Sequence, residues 1–161
     1  MDYPRFPTEV AATVAGVPLN TVNTWLKRGH ISTYPRGSDL PPDLLFPGQG
    51  RKRLFTRRSI MHIALIARLA RTGLPVDLAS AAAMQFLDQG SGDLRALGEF
   101  FVEGGTALVI QFRQVGPKVT VTTRDQAAKS FFPAQLYKDD PVLVLDLEAF
   151  ISAASRIIER L

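Results

Sequence analysis

Apolar and polar positions alternate along this chain in short blocks, most of them closed by glycine or proline. In the first block Val10, Ala11 and Val14 fall on one helical face. Thr8 is placed as its N-cap with Glu9 in the first turn, and Gly16 ends it by permitting a left-handed backbone. A second helix is predicted from about Pro18 to Arg28 and is stopped by Gly29. There Leu19, Val22 and Leu26, at spacings of three and four, should face inward, with Trp25 beside them as a core or boundary residue. The Pro-rich residues 1–7 are expected to be irregular.

From His30 to Gly50 the chain carries Pro35, Gly37, Pro41, Pro42, Pro47, Gly48 and Gly50, which excludes a long regular element. The pattern predicts a long loop between two short strands, near Ile31–Tyr34 and Lys52–Phe55. Thr56 then caps a third helix in which Ile60, Ile63, Ala64, Ala67 and Leu69 repeat at helical spacing. After the break at Thr72–Pro75, an Ala-rich fourth helix is expected over Asp77–Leu87.

Gln89–Asp93 has the composition of a connector, and Leu94–Glu103 the pattern of a short helix. Thr106–Arg113 and Lys118–Thr123 are β-rich runs joined by a turn at Gln114–Pro117, which predicts a hairpin. Asp125–Phe132 should form one or two helical turns. Val142–Leu145 is a buried-strand pattern, and Asp146 is placed to cap a final helix. Leu147, Phe150, Ile151, Ala154, Ile157, Ile158 and Leu161 would form that helix's apolar stripe, which something must cover. The fold class that results is α+β: a helical N-terminal domain over 1–88, then a small α/β region over 91–161 with a C-terminal amphipathic helix.

Charge changes this picture by separating the two halves. Residues 1–75 hold 11 Lys/Arg against 4 Asp/Glu, whereas residues 76–161 hold 8 against 11, so the N-terminal half is the polyanion-binding candidate. Five of those cations, Arg51, Lys52, Arg53, Arg57 and Arg58, lie within eight residues and lead straight into the third helix. The polar face of the second helix offers Asn20, Thr21, Asn23, Thr24, Lys27 and Arg28. Its amides and hydroxyls suit base edges and its cations suit phosphate.

The order of helix, tight turn, helix, strand-flanked loop and helix pair resembles the winged helix-turn-helix domain of the MerR family of transcriptional regulators. The residues that carry the resemblance are Glu9-Val-Ala11, Ala15-Gly-Val17, Thr21-Val22, Trp25 and Gly29, then Arg53-Leu-Phe55-Thr56, Ser59-Ile60, Thr72-Gly-Leu74 and Asp77-Leu78. It covers roughly Thr8 to Phe86. It implies a homodimer that places its second helices in successive major grooves, with a wing on the flanking backbone. Thr21 and Asn23 would then lie on the recognition helix and Arg53 in the wing near phosphate. The Pro-rich loop is longer than the family's usual connection. The β-patterned runs after Gly90 replace the long bare coiled-coil helix of many members.

With no cysteine the chain has no disulfide, thiol nucleophile or Cys-ligated metal, and the metal-sensing branch of the family is excluded. Phosphate-loop, zinc-protease and nucleophile-elbow motifs are all missing, so no catalytic residue, metal or cofactor is assigned and an enzyme ranks last. Asp139-Asp140 fits a solvated turn better than a metal site, His62 a surface or boundary position, and Phe100-Phe101 and Phe131-Phe132 apolar anchors. His30 is a weak phosphate candidate. The start of the chain has no signal-peptide pattern and no apolar run spans a membrane, so a soluble, cytoplasmic protein is expected, and the resemblance implies a bacterial, nucleoid-associated setting.

The leading expectation is therefore a sequence-specific regulator of duplex DNA, dimeric through residues 91–161. The first alternative is a phage-type excisionase or other architectural factor with the same winged domain. Another makes the C-terminal part an effector- or protein-binding module, although no residue pattern supports a small-molecule effector.

Overall fold

The computed structural model describes residues 4–31, 44–45, 53–88, 105–113, 116–135 and 142–160. They form a mixed α+β chain in two compact units, Met1–Met84 with Ala154–Leu161, and Gln85–Ala153.

The first unit begins with β1 (Phe6–Pro7) and α1 (Thr8–Ala15). The expected cap is displaced by one residue: Pro7 is the N-cap, and Thr8 lies in the first turn, 9% exposed. Gly16, at φ 62°, ends the helix. Its N–H donates to Thr13 O and that of Val17 to Ala12 O, both at 3.1 Å, which is the Schellman pattern of a helix C-terminus. The turn leads at once into α2 (Leu19–Lys27), which closes the same way: Gly29 at φ 74° donates to Leu26 O, and His30 N to Trp25 O. Val22 and Trp25 enter the core as the spacing predicts. Leu26 is only half-buried, and Leu19, expected inside, is 39% exposed. The α2 axis therefore directs Val22 and Trp25 inward, with Leu19 at the edge of the buried arc.

The strands differ from expectation. Leu54–Phe55 (β3) lies between β1 and Leu44–Leu45 (β2), antiparallel to both, with Phe55 opposite Phe6 and Leu44. The partner is thus Leu44–Leu45 instead of the Ile31–Tyr34 segment. Ile31 is a buried bend residue, and Ser32–Tyr34 lie outside the described residues. Phe6–Pro7, expected to be irregular, supplies an edge strand, where Pro is tolerated because one side needs no donor.

Thr56 caps α3 (Arg57–Ala70) by accepting from Ser59 N at 3.1 Å. α3 is buried nearly all round, and α1 packs against both α2 and α3. His62, expected at the surface or a boundary, is 1% exposed. Its Nε2 lies 3.3 Å from Ser80 O on α4 (Val76–Asp88), and Ser80 Oγ donates to His30 O.

The second unit is built on the hairpin of β4 (Thr106–Arg113) and β5 (Gly116–Thr123), followed by α5 (Arg124–Gln135), β6 (Val142–Asp146) and α6 (Glu148–Glu159), whose end belongs to the first unit. The sheet order is β5-β4-β6, all antiparallel, pairing Thr106 with Thr123 and Ala107 with Asp146. Residues 106–110 are all buried, as a central strand requires. Ala127 of α5 joins Ala107 and Val109, with Val142 and Val144 packed beside them. Asp146 Oδ1 accepts from Glu148 N at 3.1 Å and so fastens the start of α6. Along the expected stripe, Leu147, Ala154 and Ile158 are buried and Phe150 and Ile157 half-buried. The side chain of Ile151, residue Leu161, the Gln89–Asp93 connector, the Leu94–Glu103 segment with Phe100-Phe101, and Asp139-Asp140 lie outside what is described, as do the side chains of Phe131-Phe132.

Candidate nucleic-acid interface

The α2 helix is amphipathic because its apolar residues, Val22 and Trp25, occupy one side and short polar residues the other. Asn20, Thr24, Lys27 and Arg28 are exposed, and Thr21 and Asn23 half-buried at the margin. Thr24 Oγ1 donates to Asn20 O at 2.8 Å, so its hydroxyl proton is held by the backbone and its oxygen faces outward as an acceptor. The polar residues between Asn20 and Arg28 thus offer amide donors and acceptors, a hydroxyl oxygen and two cations.

Arg53, the residue before β3, reaches this face. Its Nη1 donates to Asn23 Oδ1 at 3.0 Å, although 30 positions separate the two in sequence. The residue before β3 and the middle of α2 are thereby joined through a guanidinium and an amide. In sequence the segments that carry the two residues, Val10 to Ser38 and Leu44 to Val76, hold no Asp or Glu, and Asp39 and Asp43 lie between them outside the described residues.

The other predicted cations separate into distinct settings. Arg57 is exposed, but its Nη2 donates to Ser155 Oγ at 3.0 Å and lies 3.9 Å from Glu159 Oε1. Arg58 is half-buried, with Nη2 4.0 Å from Met84 Sδ. Arg51 and Lys52 lie outside the described residues. The structure therefore brings Asn23 and Arg53 together beside Asn20, Thr24, Lys27 and Arg28, and it holds Arg57 and Arg58 in side-chain contacts on the first turn of α3.

Two features escape the sequence. Arg71 Nη2 donates to Ala15 O at 3.0 Å and Gly16 O at 2.6 Å, so this cation serves the C-terminus of α1, where the helix dipole is negative. Nothing in the local pattern links positions so far apart. The exposed Leu19 was hidden by its spacing to Val22, which is satisfied equally well at the edge of the buried arc.

Among the described residues no cluster of His, Asp or Glu is placed to hold a metal ion, and no helix is long and apolar enough to cross a membrane. No protein-family model matches the chain, and no curated protein matches it.

Proposed function

We propose that this protein is a sequence-specific duplex-DNA-binding regulator of the winged helix-turn-helix kind, with α2 as the recognition helix in the major groove. The segment around Arg53 acts as the wing against the backbone. The observation that carries this reading is the bond from Arg53 to Asn23, which brings a guanidinium and a side-chain amide together on the helix that also carries Lys27 and leads into Arg28. Amide side chains specify adenine edges, and cations fix the register on phosphate, so the two functions are divided between neighbouring residues. The reading includes a homodimer, since two copies of one short helix read two half-sites about 34–36 Å apart.

Binding of the full chain to duplexes selected from a random pool, measured from about 50 to 200 mM salt, tests it. With six to ten phosphate contacts affinity should fall by about 10³–10⁵ over that interval. An affinity indifferent to ionic strength removes the polyanion reading. Equal affinity for selected and random duplexes removes sequence specificity and leaves a general DNA binder. The mass of the full chain in solution, free and on a selected duplex, tests the dimer.

A further inference from the structure

Leu19 is 39% exposed, and it is the one large hydrophobic side chain so exposed among the described residues. It opens α2 one turn before Asn23, and residues four apart on a helix are neighbours on its surface. Asn23 is in turn bonded to Arg53, so an isobutyl group, an amide and a guanidinium follow one another along the same edge. The face is otherwise polar and cationic, carrying Asn20, Lys27 and Arg28 with no carboxylate anywhere on α2. Among the described residues this apolar group has no exposed large apolar neighbour, so it does not form the contiguous patch that marks a protein partner. It does suit a polyanion that presents an isolated apolar group, and in the major groove that group is the 5-methyl of thymine.

Resting on the DNA reading above, we infer that Leu19 is a specificity-determining residue that packs on a thymine methyl in the cognate site. Four residues of helix advance about 6 Å, so this thymine lies within roughly two base steps of the base that Asn23 addresses.

The test starts from the duplexes selected by the full chain and replaces each thymine in turn by deoxyuridine, which removes only the methyl group. The wild type should lose about three- to tenfold in affinity at one thymine, the scale of one methyl group withdrawn from apolar contact. The Leu19→Ala variant should bind the thymine and deoxyuridine forms of that position equally, while Leu19→Met should retain the discrimination. Because Ala favours helix, Leu19→Ala should keep the wild-type circular dichroism spectrum, with a melting midpoint lowered only by the loss of a partly buried side chain. A wild type blind to every methyl, or a Leu19→Ala variant as sensitive as the wild type at every thymine, overturns the inference and leaves DNA binding intact. Methyl-blind binding combined with loss of self-association in Leu19→Ala also overturns it and gives the residue to a protein contact. A failure to enrich any duplex removes the DNA reading itself and this inference with it.

Discussion

Arg53 holds the side-chain oxygen of Asn23, Nη1 to Oδ1 at 3.0 Å. An asparagine that reads adenine needs both ends of its amide, the oxygen accepting from N6 and the nitrogen donating to N7. In the free protein one of the oxygen's two lone pairs is already engaged by Arg53, which orients the amide. Reading adenine can then use the oxygen's second lone pair with Arg53 in place, while a phosphate would give the guanidinium a further, charge-assisted partner. On the DNA-binding proposal, base reading and backbone contact would be coupled through this one bond.

The coupling is measurable as a double-mutant cycle on DNA affinity. Asn23→Ala is expected to cost about 1–3 kcal/mol on the selected site and much less on random duplex. Arg53→Ala is expected to weaken binding to both and to lower the salt slope by about 0.9. The two losses should fail to add by about 0.5–3 kcal/mol. Strict additivity would show that the pair acts independently.

How far the sequence reveals this arrangement depends on the kind of signal. Gly16, Gly29 and Thr56 are legible because each position has a steric or hydrogen-bonding demand that few residue types meet. Val22 and Trp25 are legible because a helix repeats every 3.6 residues. The partners of Leu54–Phe55 are not, since two-residue strands have no period to read and both Phe6–Pro7 and Leu44–Leu45 are distant in sequence. His62, for which a helical position alone suggests the surface or a boundary, is instead buried. Ile60, Ile63, Ala64, Leu65, Ile66, Ala67 and Leu69 on the same helix are buried on nearly every side, and His62 is buried among them. The Arg53–Asn23 bond itself depends on how the strand meets α2, which no local pattern encodes.

Gly16 and Gly29 both adopt positive φ, yet their replacement should differ. A Cβ on Gly29 meets nothing within 4 Å, so Gly29→Ala bears only the left-handed backbone, about 1–2 kcal/mol. A Cβ on Gly16 would stand 2.8 Å from Arg71 Nη2, and that guanidinium cannot swing away without releasing the Ala15 and Gly16 carbonyls. Gly16→Ala should therefore lose about 1 kcal/mol more than Gly29→Ala, read as the difference in urea midpoint at unchanged slope. Equal losses would show Arg71 to be dispensable.

Arg57 and Lys27 were both expected at the DNA, but their settings predict different effects. Arg57 already faces Ser155 and Glu159, and its ion pair is exposed, with 55% and 65% of the two side chains accessible. Such pairs contribute about 0–1 kcal/mol, so Arg57→Ala should change stability little. It should also reduce DNA affinity less than Lys27→Ala, which removes a cation from the exposed side of α2. Filter-binding isotherms at one salt concentration rank the two, and a larger loss for Arg57→Ala would mean that it leaves Glu159 for phosphate.

Thr56 begins α3 under an electrostatic handicap. The first two helical residues are Arg57 and Arg58, and no acidic residue occupies the first turn, so positive charge sits at the positive end of the helix dipole. The side chain of Thr56 offsets this by accepting from Ser59 N at 3.1 Å. Thr56→Ala should therefore destabilise the fold by about 0.5–2 kcal/mol, while Thr56→Ser, which keeps the acceptor, should stay within about 0.5 kcal/mol of the wild type. Because α3 follows β3 directly, fraying of its first turn would also loosen the backbone that carries Arg53. Thr56→Ala should then lose DNA affinity even under conditions where it is fully folded, and added salt should diminish the difference from the wild type as phosphate contacts are screened. An unchanged affinity for folded Thr56→Ala would separate the cap from the interface and confine Thr56 to stability.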